Sequence, residues 1–408
     1  MAGSSVSQPL EFSGKSFALY QTLHPAALLI ANEQGHLLYA DNIEQALVPA
    51  STTKLITALL ALQHWGAEHH FHTDFTVYSC TEVQAINCAR LEIGAFGDPF
   101  LVSEEWAIIA EYLAAQLKAQ GITQIQSIHL ANQWFDEPLN MPGAERSLNP
   151  YDAINGALVA NFNSINVRKT LTGWESAEPQ TPWTRSAQTI VENAGLSLKI
   201  AQEERINTGQ NYRLNQQYAL ELLQTLLQQN GIAAQIGEQP LSSANPQSMR
   251  FRYRHFNRRN LAEMIRPMLK YSTNFIANQI ALNLAAEIYG APASAQSVQK
   301  LYQQKLAQQF AWQEDEVRFF DAAGLSRDNR INARQLYQVL QAFAPWRELL
   351  PEVEEGVFAK SGSLLGVSTL AGYFKHQQQW LPFVFMSNQK VPYRFRNQLA
   401  KSLKAQLP

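Results

Sequence analysis

The chain has 408 residues, of which 46% are hydrophobic and only 16% charged, with 32 basic against 34 acidic side chains and a formal net charge of −2. That apolar share supports packed interiors and excludes disorder, collagen-like repeats and coiled coil as the main state. The balanced charge provides no global field for nucleic acid or a membrane surface, and at roughly 150 residues per domain the length predicts two or three domains.

The opening stretch Met1-Ala2-Gly3-Ser4-Ser5-Val6-Ser7 shows neither the basic n-region nor the apolar h-region of a signal peptide. Two readings follow, a cytosolic protein or a mature exported one. No apolar run reaches the roughly 18–20 residues that a membrane span requires. Further along, Ala26–Ala31 and His36–Tyr39 are apolar runs separated by Asn32-Glu33-Gln34-Gly35, a hairpin pattern. Leu47-Val48-Pro49-Ala50 leads into Ser51, after which Leu55, Ala58, Leu59 and Leu62 recur at helical spacing until Gly66.

From about Phe71 to about Met249 the texture changes to short β-type runs, long loops at Glu137–Pro150 and Glu175–Trp183, and two helical stretches, Glu104–Gln120 and Gln216–Gln229. Cys80 and Cys88 bracket a short loop between the strand-like runs Phe75–Ser79 and Ala89–Ile93. They read equally as a cross-strand disulfide or as two half-buried thiols. His69, His70 and His72 read as a polar loop, and neither they nor a Cys-x-x-Cys pair implies a metal.

After Arg250 helical spacing returns through Leu261–Lys270, Phe275–Tyr289 and Ala295–Gln309. Strand-like runs follow at Val357–Ala359, Gly366–Tyr373 and Leu381–Met386, then a final helix from about Tyr393 to Gln406. The two ends share an α/β character, which predicts an α/β domain over 1–72 and 250–408, interrupted by an insert over 73–249 of one or two subdomains. The run after Met249 interleaves Arg250, Arg252, Arg254, Arg258 and Arg259 with Phe251, Tyr253 and Phe256. Its period of two reads as a solvated strand face and not as a nucleic-acid stripe, because no basic domain surrounds it.

The chemistry centres on Ser51-Thr52-Thr53-Lys54 at a predicted helix start. Positions i and i+3 share a face, so the lysine amine reaches the serine hydroxyl. Lysine serves as a base only if burial or a neighbouring cation lowers its pKa from about 10.4 towards 7–8. Alone the pattern is weak: Ser297-Val298-Gln299-Lys300 matches it too, and serine before a helix is an ordinary N-cap. Ser272-Thr273-Asn274 and Lys360-Ser361-Gly362 follow, in the order in which Ser-x-Asn and Lys-Thr-Gly follow Ser-x-x-Lys in penicillin-interacting enzymes. Ser147-Leu148-Asn149, Ser164-Ile165-Asn166 and Ser243-Ala244-Asn245 also fit the middle motif, but only Ser272 stands between two helical segments, where a tight turn can aim Ser and Asn into a cleft.

With these motifs stand Pro49-Ala50 before Ser51, Gly97-Asp98-Pro99, Gly324-Leu325-Ser326-Arg327-Asp328-Asn329-Arg330, and Leu370-Ala371-Gly372-Tyr373. Together they resemble the class C low-molecular-mass penicillin-binding proteins, the serine D-Ala-D-Ala carboxypeptidase and endopeptidase family. That family carries a large insert between its first two motifs, and the long interval from Ser51 to Ser272 accommodates one. The resemblance implies a penicillin-binding transpeptidase-like domain, an antiparallel sheet flanked by helices with a helical subdomain, interrupted by a large inserted domain.

The resemblance also implies roles. Ser51 attacks the carbonyl of the penultimate D-Ala of peptidoglycan stem peptides and Lys54 takes its proton. Ser272 relays a proton to the leaving amine, and Asn274 bonds Lys54 and the substrate amide. Lys360, Ser361 and Ser363 hold the terminal carboxylate, the N–H groups of Ser51 and Ser363 form the oxyanion hole, and Gly362 admits the substrate backbone. β-Lactams are implied as covalent inhibitors, with no cofactor, no metal and no nucleic-acid partner. Carboxypeptidase and endopeptidase action both cleave after D-Ala and differ in the leaving amine, so the motifs do not separate them, nor do they fix the oligomeric state. Such a substrate lies outside the cytoplasm, which favours a mature periplasmic or extracytoplasmic form with a Cys80–Cys88 disulfide.

Three positions depart from the family pattern: Thr273 stands where Asp or Asn is usual, Ser361 where Thr is commoner, and Asp321-Ala322-Ala323-Gly324 replaces a stretch richer in Gly and Ser. A β-lactamase is the sharpest rival, since Glu145-Arg146-Ser147-Leu148-Asn149 mimics the Glu-x-x-Leu-Asn loop of class A enzymes. In those enzymes the loop follows Ser-x-Asn, whereas here it precedes Ser272. A non-catalytic wall-binding scaffold of the same fold is the other rival.

Overall fold

The computed structural model describes residues 10–80, 87–131, 133–237, 246–313 and 318–408. Its strands are β1 (Ala26–Ala31), β2 (Leu37–Asp41), β3 (His72–Ser79), β4 (Cys88–Ala95), β5 (Gln124–Leu130), β6 (Ser164–Lys169), β7 (Trp174–Ser176), β8 (Glu203–Asn207), β9 (Ala233–Ile236), β10 (Met249–Phe256), β11 (Glu352–Glu354), β12 (Val357–Leu364), β13 (Val367–His376) and β14 (Gln379–Ser387). Its helices are α1 (Lys15–Tyr20), α2 (Thr53–Trp65), α3 (Ser103–Ala119), α4 (Arg185–Ala194), α5 (Tyr212–Gln229), α6 (Leu261–Tyr271), α7 (Asn274–Tyr289), α8 (Ala295–Phe310), α9 (Ala333–Phe343) and α10 (Phe395–Lys404). Two compact units result: residues 1–66, 265–281 and 298–408 form the first, and residues 67–264 and 282–297 the second. Among the described residues no helix is long and apolar enough to cross a membrane.

The first unit is built on a six-stranded antiparallel sheet ordered β11-β12-β13-β14-β1-β2. All six residues of β1 are buried, as a central strand covered on both faces requires. On one face Leu28, Ile30, Leu370, Phe374 and Phe385 pack with Phe17 and Tyr20 of α1 and with Phe395, Leu399 and Leu403 of α10. On the other, Tyr373 of β13 donates its hydroxyl to the Leu340 carbonyl of α9. Side chains alternate along a strand, so Lys360 and Gly362 share the Tyr373 face while Ser361 and Ser363 share the α10 face. The short β11 pairs only with Val357 and Phe358, which leaves Lys360–Leu364 as a sheet edge.

The second unit contains a five-stranded mixed sheet, β10-β3-β4-β5-β9, and a three-stranded sheet, β7-β6-β8. The arginine-rich run forms β10, where Arg254 pairs with Asp74 (2.7 Å), Arg250 donates to Ser79 Oγ (2.7 Å) and Tyr253 stacks on Tyr112. Asp98 is buried and accepts hydrogen bonds from Asn257 Nδ2 and the Phe100 N–H; burial pushes its carboxyl up to about 6. Beside it the buried Glu105 accepts from His255 Nε2 and Arg258 Nε, both at 2.9 Å. The Gly97-Asp98-Pro99 stretch therefore anchors a buried polar network. Gly97 has φ 68°, and a Cβ there would lie 2.4 Å from the Phe135 ring.

Cys80 and Cys88 form a disulfide, with Cα atoms 5.7 Å apart, one step beyond the Ser79–Ala89 pair of β3 and β4. Closing so short a loop stabilises by about 2–3 kcal/mol through the unfolded chain. Replacing both cysteines by serine is expected to lower the urea midpoint of the second unit by a corresponding amount. An unchanged midpoint would show that the bond contributes no stability.

Candidate active site

Ser51 sits in a 3₁₀ turn, Ala50–Thr52, that runs directly into α2. Residues 53–62 of α2 are buried throughout, so the helix is a core element whose start is fixed by packing. The N-cap position is Thr52, with no side-chain cap bond, so Ser51 does not serve as the cap. Ala50 takes a left-handed φ of 48°, which costs an alanine roughly 1–3 kcal/mol. Surrounding bonds impose it: the Pro49 carbonyl accepts from Thr52 Oγ1 (2.7 Å) and Thr369 Oγ1 (2.8 Å), and the Ala50 carbonyl accepts from Thr53 Oγ1 (2.9 Å).

One turn along, Lys54 is fully buried. Its Nζ donates to Asn274 Oδ1 at 2.7 Å and to the Ala323 carbonyl at 2.7 Å, and lies 3.1 Å from Ser51 Oγ. Two of these partners, an amide oxygen and a backbone carbonyl, accept only; the third is a hydroxyl that also donates. A neutral amine has two N–H groups and one lone pair. In that neutral form the two pure acceptors take the N–H groups and the lone pair is left for the Ser51 hydroxyl, whereas the charged amine donates to all three. Burial above all, and then the positive charge of Lys360, holds the Lys54 pKa well below the ordinary lysine range; Asp321 opposes this.

Lys360, also buried, donates from Nζ to Ser272 Oγ (3.0 Å) and to the Ser361 carbonyl (2.6 Å). Burial, and next the Arg396 guanidinium, lowers its pKa to about 7. Ser272 occupies the two-residue break between α6 and α7 with a left-handed φ of 59°, and Asn274 opens α7. That break is the tight turn which the sequence requires of a Ser-x-Asn motif. The hydroxyl and the amide it presents each meet a different lysine.

Gly362 stands where no side chain fits: a Cβ would lie 2.2 Å from Thr369 Oγ1, 2.8 Å from the Pro49 carbonyl and 2.9 Å from the Ser51 nitrogen. The edge strand thus approaches the backbone of the serine turn closely. Ser361 and Ser363 lie on the opposite strand face, where Arg396 Nη1 donates to both the Gly362 carbonyl and Ser363 Oγ at 2.6 Å.

Three contributors, Asp321, Arg396 and Thr369, have no role in the motif reading. Asp321 is buried and accepts from the N–H groups of Ala323, Leu325 and Ser326 and from Asn329 Nδ2, which shapes the loop so that the Ala323 carbonyl meets Lys54. Gly324 in that loop has φ 84°, and a Cβ would lie 1.9 Å from the Ala50 carbonyl. The Asp321–Gly324 departure therefore keeps the one glycine that the close approach demands. Arg396 comes from the last helix, far along the chain from Ser363, and no local pattern marks it. Thr369 is visible only through its register opposite Gly362.

The competing motifs lie elsewhere. Asn149 Nδ2 donates to Ser147 Oγ in a loop of the second unit, where Glu145 and Ser147 are tied to Asp152. Ser164 opens β6, Ser297 Oγ donates to the Ser294 carbonyl at the start of α8, and Ser243-Ala244-Asn245 falls outside the described residues.

The fold is similar to that of penicillin binding protein 4 (dacB) from Haemophilus influenzae, with a TM-score of 0.73 over 96% of this chain and 100% of that one at 19% identity. It is also similar to a predatory endopeptidase from Bdellovibrio bacteriovorus, with a TM-score of 0.54 over 94% and 92% of the chains at 13% identity. In sequence, D-alanyl-D-alanine carboxypeptidase DacB of H. influenzae is 28% identical over 184 residues, 38% of this chain and 36% of the relative. D-alanyl-D-alanine carboxypeptidase of Actinomadura sp. strain R39 is 31% identical over 114 residues, 27% of this chain and 20% of the relative. The chain thus matches about a third and a fifth of the lengths of these curated relatives.

The fold is of the type represented by penicillin binding protein 4. The D-Ala-D-Ala carboxypeptidase 3 (S13) family model matches residues 24–351, most of the chain, with Ser51, Lys54, Ser272 and Asn274 inside the match and Lys360 beyond it. The chain belongs to that family of peptidases.

The depressed Lys360 pKa has a measurable consequence. Between about 7 and 10.5 the unfolded chain holds a proton at this lysine that the folded chain gives up, so the lysine lowers stability as the pH falls across that window, and its cost is constant below it. Lys360→Met removes the ionisable group. The Tm difference between variant and parent is therefore expected to move in the variant's favour by a few degrees on going from pH 10 to pH 7. A difference independent of pH would show that Lys360 titrates normally.

Proposed function

We propose that the protein is a serine D-Ala-D-Ala carboxypeptidase acting on peptidoglycan stem peptides through an acyl-enzyme at Ser51. The observation that carries this reading is the placement of the buried Lys54 Nζ 3.1 Å from Ser51 Oγ, with an amide oxygen and a backbone carbonyl as its other partners. Ser51 Oγ attacks the carbonyl of the penultimate D-Ala as its proton passes to Lys54, and the C–O bond forms. The N–H groups of Ser51 and Ser363 stabilise the oxyanion. Collapse breaks the C–N bond while Ser272, hydrogen-bonded to Lys360, relays the proton held by Lys54 to the departing amine, which leaves Lys54 neutral again. Water then attacks the ester by the same route in reverse and regenerates Ser51.

Lys360 in its charged form holds the terminal carboxylate of the substrate, and Ser361 and Ser363, whose side chains leave the other face of β12, reach it only at the exposed strand edge. A bound carboxylate raises the Lys360 pKa and keeps it protonated, while the same cation helps to keep Lys54 neutral. Asn274 fixes Lys54 and hydrogen-bonds the substrate amide. No cofactor enters any step. β-Lactams, which mimic the acyl-D-Ala-D-Ala terminus, acylate Ser51 in the same way. Such a substrate places the working protein outside the cytoplasm, in keeping with the Cys80–Cys88 disulfide. In this reading the second unit is an inserted domain of the peptidase.

Intact-mass analysis after exposure to a penicillin tests the reading. One adduct is expected on the parent and none on Ser51→Ala, while Lys54→Arg slows acylation by at least about 10²-fold, because arginine does not give up its proton. An adduct that survives Ser51→Ala would refute the nucleophile. Fast steady-state penicillin hydrolysis, with no lasting acyl-enzyme, would point instead to a β-lactamase, and absence of any adduct to a non-catalytic scaffold.

A further inference from the structure

Of the two hydroxyls that β12 presents on its α10 face, Ser363 alone among the described residues meets a charged donor. Arg396, the second residue of α10, places Nη1 2.6 Å from both Ser363 Oγ and the Gly362 carbonyl. One nitrogen with two N–H groups thus ties the serine oxygen to the backbone of the preceding residue, which fixes the Ser363 side-chain torsion. Arg394, two positions earlier, is paired with Glu354 at 3.1 Å. Arg396 is half-buried and no carboxylate among the described residues offsets its charge. A guanidinium keeps its proton and only donates, so Ser363 Oγ is the acceptor of this bond and its own proton points elsewhere. The open direction is the strand edge: β11 pairs only with Val357 and Phe358, and Ser363 is exposed.

We propose that Arg396 is a positioning residue for the terminal carboxylate of the substrate: it holds Ser363 Oγ as an acceptor, aims the Ser363 O–H at the carboxylate, and so favours substrates that end in one. The inference rests on the hydrolase reading above, which brings the carboxylate to this edge. A hydroxyl that accepts from a cation is polarised and donates more strongly to an anion. Lys360 approaches the carboxylate from the opposite face of β12 as a direct ion pair, whereas Arg396 acts through Ser363. Without the guanidinium the Ser363 hydroxyl turns among its rotamers, and its alignment with the carboxylate is lost. The bond to the Gly362 carbonyl supports the strand for every substrate alike, so its loss cancels when two termini are compared.

Two peptides that differ only at the terminus separate this role from a structural one: an acyl-D-Ala-D-Ala peptide and the same peptide ending in D-alaninamide. The readout is the ratio of their kcat/KM values, measured with enzyme in excess where cleavage is slow, in the parent, Ser363→Ala, Arg396→Met and the double variant. Thermal unfolding checks that each variant is folded, and Arg396→Gln takes the place of Arg396→Met if the latter is not. Ser363→Ala is expected to lower the acid-to-amide ratio roughly 10-fold, the scale of a hydrogen bond to a charged group. Arg396→Met is expected to lower it roughly 5-fold, with the loss in KM, because the carboxylate is bound alike before and during reaction. The double variant is expected to match Ser363→Ala to within about twofold, since Arg396 then has no hydroxyl to orient. An unchanged ratio in Arg396→Met, with both peptides slowed equally, marks a structural role and overturns the proposal. Losses that multiply in the double variant overturn it too, because Arg396 then acts independently of Ser363. A parent that cleaves both peptides equally well overturns it and leaves the hydrolase reading standing. A parent that cleaves neither overturns both.

Discussion

Two ammonium groups buried in one cleft do not readily both remain charged, because each is desolvated and repels the other. Lys54 and Lys360 are in that position, and most of the first unit serves to settle which of them gives up its proton. Lys54 is surrounded by fixed acceptors and lies deeper. Lys360 faces Ser272 and the strand edge, where the carboxylate of a ligand can reach it. In the proposed mechanism this asymmetry gives the pair two functions: the deeper amine acts as the base, and the outer one as a cationic anchor once a carboxylate arrives.

Holding this arrangement requires backbone in unfavourable conformations. Ala50 and Ser272 both take left-handed φ values, at the turn before α2 and at the break between α6 and α7. Gly362 and Gly324 admit close approaches that a methyl group would block. Asp321 spends its carboxylate on backbone N–H groups to hold the Ala323 carbonyl in place. These features converge on Ser51 and Lys54 from β12, β13, the Asp321 loop and α7, so the site is over-determined by the fold and does not depend on any one loop.

Much of this was legible in the sequence because the reacting groups sit in short motifs with fixed local geometry. Ser51 and Lys54 are one turn apart on a helix start, Ser272 and Asn274 flank a helix break, and Lys360 to Ser363 alternate along an edge strand. The central strands and the long helices were readable from periodicity for the same reason. What escaped is tertiary. Arg396 and Thr369 reach the site from elements far away in sequence, and the Ala323 carbonyl contributes through backbone, which no residue type announces. Short helices also escaped: α1 spans six residues, too few for a period to show. α4 begins at a Thr184 cap at the edge of a stretch rich in loop residues. α9 does carry a readable start, the Asn332 to Gln335 capping box, which the neighbouring Gly-Leu-Ser-Arg motif overshadowed. At Thr273, the departure from the family pattern falls between the two residues whose side chains meet the lysines, so it leaves those contacts in place.

Base catalysis by Lys54 requires it to be the lysine that is neutral, and its protonation state is directly measurable. Lysines labelled with ¹³C at Cε can be titrated by NMR, with the Lys54 resonance assigned by its absence in Lys54→Arg. Lys54 is expected to titrate well below the 10.5 of an ordinary lysine, and Lys360→Met to move its midpoint upward by removing the neighbouring cation. A Lys54 resonance that titrates together with the surface lysines, indifferent to Lys360, would contradict it.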